Sequence, residues 1–264
     1  MGGQAPVVQR IRLRYAKRGP LRFTSHRDFA RAFERALRRA AVPIAYSQGF
    51  TPHPKISYAS AAPTGVGSEA EYLEIGLQAP VDPAELRTAL DAALSPGLDI
   101  LDAVVAVEGA GSLADRIDAS RWRLELPSID PAVVAAAVKS FLETGEVLVE
   151  RMTKQGRRSF DCRAAVTYFA VSDQLAEVSD LPSGADGARC AIIDLVVRQV
   201  TPAVRPDDVL SGLRVVAGLE PPVPPRVTRL AQGALTVQGE IVDPLDADRE
   251  PLPPRMETDV IGGR

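Results

Sequence analysis

Two histidines, a run of arginines and a proline-framed loop hold most of the side chains able to do chemistry in this 264-residue sequence. His26 and His53 titrate in the range that general acid–base catalysis uses. With Tyr46 they could deprotonate a 2′-hydroxyl and protonate a leaving oxygen, as metal-independent RNA cleavage requires. Arg27, Arg31, Arg35 and Arg38 recur every three or four residues, which on a helix makes one stripe of planar guanidinium forks suited to phosphate. Arg22 precedes that stripe and Lys55 follows it. Between them, Tyr46, Ser47, Gln48, Gly49 and Phe50 combine two rings, a two-sided amide and a flexible glycine, a set that can stack on and read unpaired bases. Pro52 and Pro54 fix the backbone around His53, and Gly49 permits a turn. The loop is therefore expected to be preorganised, with Ser47, Gln48, Gly49 and His53 in one cleft with His26 and Arg27. Lys55 and His26 are expected to converge on one phosphate.

Charge is strongly polarised along the chain. Residues 10 to 55 hold twelve bases and two acids, a net of +10, within a sequence whose total is −3. Such a segment should attract a polyanion over one surface. A content of 45% hydrophobic and 25% charged residues is that of a globular protein. No apolar run approaches the roughly 18 residues of a membrane span, and MGGQAPVVQR lacks the layout of a signal peptide, so a cytoplasmic protein without a membrane partner is expected. Cys162 and Cys190 are expected to be buried and reduced. Two Cys and two His cannot build a three-cysteine cluster site, and neither metal nor cofactor is expected. Gly65-Val66-Gly67 lacks the lysine of a phosphate loop.

The elements that must position these residues follow from periodicity. In 7–15, Val8, Ile11, Leu13 and Tyr15 are interspersed with Arg10, Arg12 and Arg14, a strand with one wet basic face. Ser25 with Asp28 caps a helix that turns Phe29, Phe33 and Leu37 inward and stops at Pro43. Strands at 44–59 and 71–77, a helix opened by Asp82-Pro83 and a strand at 100–107 complete β-α-β-β-α-β over 7–108. A linker at 109–120 follows. The pattern then repeats over 121–238: a strand at Trp122, a helix opened by Asp130-Pro131, and a hairpin pairing 147–152 with 161–171. A strand at 188–199, a helix at 206–216 and a last strand near 226–237 complete it. The expected fold class is α+β, tandem ferredoxin-like (βαββαβ) domains, with 239–264 as a disordered C-terminal tail.

Four segments carry a resemblance: Leu21-Arg22-Phe23-Thr24-Ser25-His26-Arg27-Asp28, Phe33-Glu34-Arg35-Ala36-Leu37-Arg38-Arg39-Ala40, 45–57 (AYSQGFTPHPKIS) and 65–73 (GVGSEAEYL). Together they resemble the radical-SAM-linked family of unknown function, over most of 7–200. That family implies a context rather than a reaction: its unit occurs fused behind a cobalamin-binding radical SAM enzyme or free-standing, so a cobalamin-dependent radical SAM protein is the implied partner. A looser, fold-level likeness to the repeat-associated RNA-processing endoribonucleases of CRISPR systems supports RNA as a ligand more than it supports cleavage. The expected function is an RNA-binding accessory protein that positions a structured RNA for a separate modifying or processing enzyme. Its RNA-binding residues would be Arg22, His26, Arg27, Arg31, Arg35, Tyr46, Ser47, Gln48, Gly49, Phe50, His53 and Lys55. The alternatives are a metal-independent endoribonuclease and a subunit that docks an acidic protein partner.

Overall fold

The computed structural model describes residues 6–153, 156–172 and 190–249. In chain order these form β1 (Gln9–Lys17), α1 (His26–Arg39), β2 (Ile56–Ala59), β3 (Gly67–Leu77), α2 (Pro83–Ala93), β4 (Leu98–Val105), β5 (Ala119–Pro127) and α3 (Pro131–Glu143). The remainder is β6 (Leu148–Thr153), β7 (Gly156–Asp161), β8 (Val166–Ser172), β9 (Cys190–Arg198), α4 (Pro206–Ala217), β10 (Arg226–Leu235) and β11 (Ile241–Val242). Helix starts obey local chemistry. The Asp82 carboxylate accepts from the Ala84 and Glu85 amides and that of Asp130 from the Ala132 amide, each just ahead of a proline whose φ is already helical. At α1 the Ser25 hydroxyl accepts from the Asp28 amide and donates to the Asp28 carboxylate.

The strands form one large mixed sheet in the order β4-β1-β3-β10-β5-β9-β8, with β2 on β3 and β11 on β10. Each half has the same antiparallel order, β4-β1-β3-β2 in the first and β10-β5-β9-β8 in the second. The fold is thus mixed α+β, with four α-helices among the described residues. In the first half Phe29, Phe33 and Leu37 of α1 and Leu86 and Leu90 of α2 pack on Ile11, Leu13, Leu73 and Ile75. The second half repeats this with Val134, Phe141, Val209 and Leu213 on Leu124, Leu126, Ile193 and Leu195. Each such fully buried side chain contributes about 1.5–3 kcal/mol.

The stretches 7–108 and 121–238 are halves of this one sheet, joined where β3 and β10 run parallel over Gly67↔Thr228 and Ser68↔Arg229. Beside that short ladder lies a buried polar seam. Arg229 donates to Glu71 (2.5 Å) and to the side-chain oxygen of Gln232 (2.9 Å), and its guanidinium lies 5.2 Å from the centroid of Trp122. The second carboxylate oxygen of Glu71 accepts from the Ala62 amide (3.0 Å). Lys17 is buried nearby with its ammonium 3.4 Å from the Pro63 carbonyl, and that burial pulls its pKa down.

Several expectations need correction. The strand paired with β6 is β7, not the 161–171 segment, because the Asp161 carboxylate accepts from the Val147, Arg163 and Ala164 amides and so ends the hairpin in a tight turn. β8 instead enters the main sheet. The 109–120 stretch is not a free linker: Leu113 and Ile117 are buried with Tyr72 and Leu245 against the face of the first half opposite its helices. Nor is 239–249 a disordered tail, since β11 pairs with β10 and the Asp248 carboxylate is buried between Arg12 and Arg116. The rest of the expected tail, 250–264, lies outside the described residues. These two segments cover β1's second face, so the expected wet basic face is largely closed, with Arg12 only 3% exposed.

Candidate functional site

Helix α1 separates its residues by period. Phe29, Phe33, Ala36 and Leu37 face the core, while Arg27, Arg31, Arg35 and Arg38 are exposed. Among the described residues none of these four arginines has an ion-pair partner. Asp28, in the same helix, is held by Ser25, and Arg39 donates to the Ala93 carbonyl. The β1 side is different. Arg10 pairs with Glu74 (2.8 Å), Arg12 with Glu74 (2.9 Å) and Asp248 (2.8 Å), Arg14 with Asp243 (3.1 Å), and Arg18 with Asp99 (2.7 Å) and Glu69. Five carboxylates from outside residues 10–55 therefore offset four arginines inside it, and the unpaired positive charge is concentrated on α1.

At the entrance to α1 the chain makes a 3-10 turn, Gly19–Phe23, that sets Arg22 over the Phe23 ring at 4.6 Å from its centroid. Phe23 is 59% exposed. His26, the first residue of the helix, meets Tyr58 edge-to-face, the centroids 4.7 Å apart and the planes at 87°. The Tyr58 hydroxyl is buried without a hydrogen-bond partner, and burial, then the charge of Glu34, raise the phenol's pKa well above its usual value.

The Ser47–His53 loop closes on itself. The Ser47 amide donates to the His53 carbonyl (2.8 Å), the His53 amide to the Ser47 hydroxyl (3.0 Å), and Tyr46 forms a bridge with Pro54. Gly49 sits at φ +135°, a conformation side chains rarely adopt, and the next residue, Phe50, is fully solvent-exposed at 109%. Gln48 and His53 are exposed with it, whereas Tyr46 packs against the first-half core. These bonds give the loop a closed path between Tyr46 and Pro54.

Five expected residues, Arg22, His26, Arg27, Arg31 and Arg35, share α1 and its approach. Ser47, Gln48, Gly49, Phe50 and His53 form the separate, self-closed loop, with Tyr46 at its base. Lys55 is on the other side of the sheet: Ile56 and Tyr58 turn toward the core under α1, so the intervening positions alternate away. An atom added at Gly76, on the face opposite the helices, would lie 3.5 Å from the Lys55 Cβ. Convergence of Lys55 with His26 on one phosphate is excluded by that alternation. None of the twelve residues lines the clefts of about 640, 730, 720 and 370 Å³ found elsewhere on the molecule. Most of them lie instead on the exposed face of a helix and on an exposed loop. The contacts of the two histidines are separate, His26 with Tyr58 and His53 with Ser47.

Sequence reasoning missed Phe23, whose signal was an apolar residue placed just ahead of the Ser25 cap, outside the helix's inward stripe. Among the described residues no cluster of three or more His, Cys, Asp or Glu could hold a metal ion, and Cys162 and Cys190 are both unpaired and buried. Burial, reinforced by Asp161 and Asp208, pushes the Cys162 thiol up to about 12, so it is unreactive at neutral pH. No helix is long and apolar enough to cross a membrane.

No curated protein matches this sequence. A bacterial family profile does, from residue 10 to residue 206, which takes in β1, α1, the closed loop and most of both halves of the sheet. The chain belongs to the family described as "Uncharacterized protein conserved in bacteria (DUF2344)".

Proposed function

We propose that this chain is an RNA-binding accessory protein that holds an RNA on the exposed face of α1 and presents it to a separate modifying or processing enzyme. One observation carries the reading: the arginines of β1 are matched by carboxylates, while Arg27, Arg31, Arg35 and Arg38, a few residues on, have no ion-pair partner among the described residues. Guanidinium groups left in a row and free of carboxylates are available to phosphate oxygens, and binding then gains from counterion release. The closed loop, with Gln48 and Phe50 exposed, offers base contacts of its own. The repeated strand order supports reading the two halves as ferredoxin-like units, and the resemblance noted in the sequence supports a cobalamin-dependent radical SAM protein as the enzyme served.

The test is binding of a labelled RNA by the full chain across a salt series. Affinity falls as salt rises, and an Arg27→Glu/Arg31→Glu/Arg35→Glu variant loses binding while it melts like wild type. Three lost phosphate contacts flatten the salt slope by about 2 on the log–log plot. Undiminished binding by that variant rejects the reading, as does a protein partner retained in full after nuclease digestion with no RNA crosslinked to α1.

A further inference from the structure

Building on that reading of α1, we infer that the RNA segment bound there is unpaired, and that one of its bases stacks on the Arg22–Phe23 pair at the head of the helix. Phe23 is a large ring left 59% in water at a place where the backbone is firmly held. The Thr24 amide donates to the Leu21 carbonyl (2.9 Å) and the Gly65 amide to the Arg22 carbonyl (2.8 Å), so the turn is tied to the neighbouring loop. Gly65, at φ +92°, brings that loop against the ring's edge: an added Cβ there would lie 3.8 Å from it. The ring thus rests on the Gly65 loop along one edge and meets solvent over most of its area. Arg22 lies over it at 4.6 Å and, like the α1 arginines, has no carboxylate partner among the described residues. An aromatic ring and a guanidinium plane together make a flat, cationic, amphipathic surface, whose natural complement is the π-face of a nucleobase.

The position of the pair decides the class of RNA. Only Thr24 separates it from the Ser25 cap, so the stack leads into His26 and Arg27 and then along Arg31, Arg35 and Arg38. A strand laid along that row can place one base on the stack only if the base is free of a partner, because bases inside a duplex have both faces covered. A duplex would meet the same helix through phosphates alone.

The experiment compares a labelled single-stranded oligoadenylate with an A-form RNA duplex of equal length, each titrated with the full chain by fluorescence anisotropy. Wild type should prefer the single strand. Phe23→Ala should weaken single-strand binding by roughly tenfold, the scale of one lost base stack, and leave duplex binding unchanged, while Phe23→Trp keeps the preference. Equal weakening toward both ligands, or no change toward either, overturns the stacking assignment even if RNA binding itself stands. Failure of wild type to bind either ligand overturns the α1 reading on which this rests. Matching thermal melts of wild type and Phe23→Ala keep loss of folding from being read as loss of the stack.

Discussion

The arginines of β1 meet carboxylates and those of α1 meet solvent, although the two runs follow one another closely in sequence. The strand sends Arg10, Arg12 and Arg14 to one face of the sheet, and the chain later returns over that face with Asp243 and Asp248 while Glu74 of the neighbouring strand lies alongside. The helix sends Arg27, Arg31, Arg35 and Arg38 away from the sheet, where no described segment returns. A count of basic residues therefore overstates one region and understates the contrast with the other. Arginine acts as a pin in β1 and as an open anion contact on α1.

The largest expected difference between the two rows is in stability. Arg12→Ala takes from the buried Asp248 and from Glu74 one of the two arginines that each holds, leaving Arg116 and Arg10, and should cost about 1–3 kcal/mol, whereas Arg31→Ala should stay within about 0.5 kcal/mol of wild type. Chemical denaturation of the two variants checks this, and equal losses would break the contrast. RNA affinity should show the inverse. Arg14→Ala, which removes a half-covered arginine already paired with Asp243, should change it by less than about twofold, far less than the α1 reversals do.

Acid sharpens the comparison further. Burial alone would raise the Asp248 pKa, but hydrogen bonds from Arg116, the Val107 amide and Arg12 outweigh it and hold the carboxyl below its ordinary 3.8. The folded chain thus binds this proton less readily than the unfolded one. The resulting stability is complete at neutral pH and is lost as pH falls from 3.8 through the lower folded value. Wild type should lose more stability than Asp248→Asn when the pH is dropped through that window, read by circular dichroism. The smallest effect is expected at the seam. Burial lowers the Lys17 pKa below 10.5, so the unfolded chain holds that proton more tightly and folding becomes more favourable as pH rises toward 10.5. Lys17→Met should remove that slope and stabilise the neutral protein by about 1 kcal/mol, measurable as a shifted urea midpoint.

The parts legible in the sequence were those fixed by neighbours. Ser25 with Asp28, and Phe29 with Phe33 and Leu37, define α1 within a few turns, and Pro52, Pro54 and Gly49 define a loop that closes on itself. What was not legible depends on distant segments. Arg12 finds Asp248 across 236 residues, and no periodicity in β1 distinguishes a wet face from one covered by 105–117 and 239–249. The hairpin was misassigned because one side chain, Asp161, turns the chain by accepting three amides, a contact that composition does not show. The order helix, loop, strand puts Lys55 at the same end of the first sheet as His26, but one step along a strand reverses the face a side chain takes.

Strand β10 sits between β3 and β5, in the middle of the sheet, yet it leaves the ribosome after both of them. Until residues 226–235 emerge, the edges of β3 and β5 that it will join are both open, and the Glu71 carboxylate waits without Arg229. The nascent protein is for that interval two separate sheets with exposed borders, the condition under which strands pair with the wrong neighbour. A ribosome stalled just short of Arg226 should hold a chain that proteases cut between its halves, and completion of a single strand should end that sensitivity.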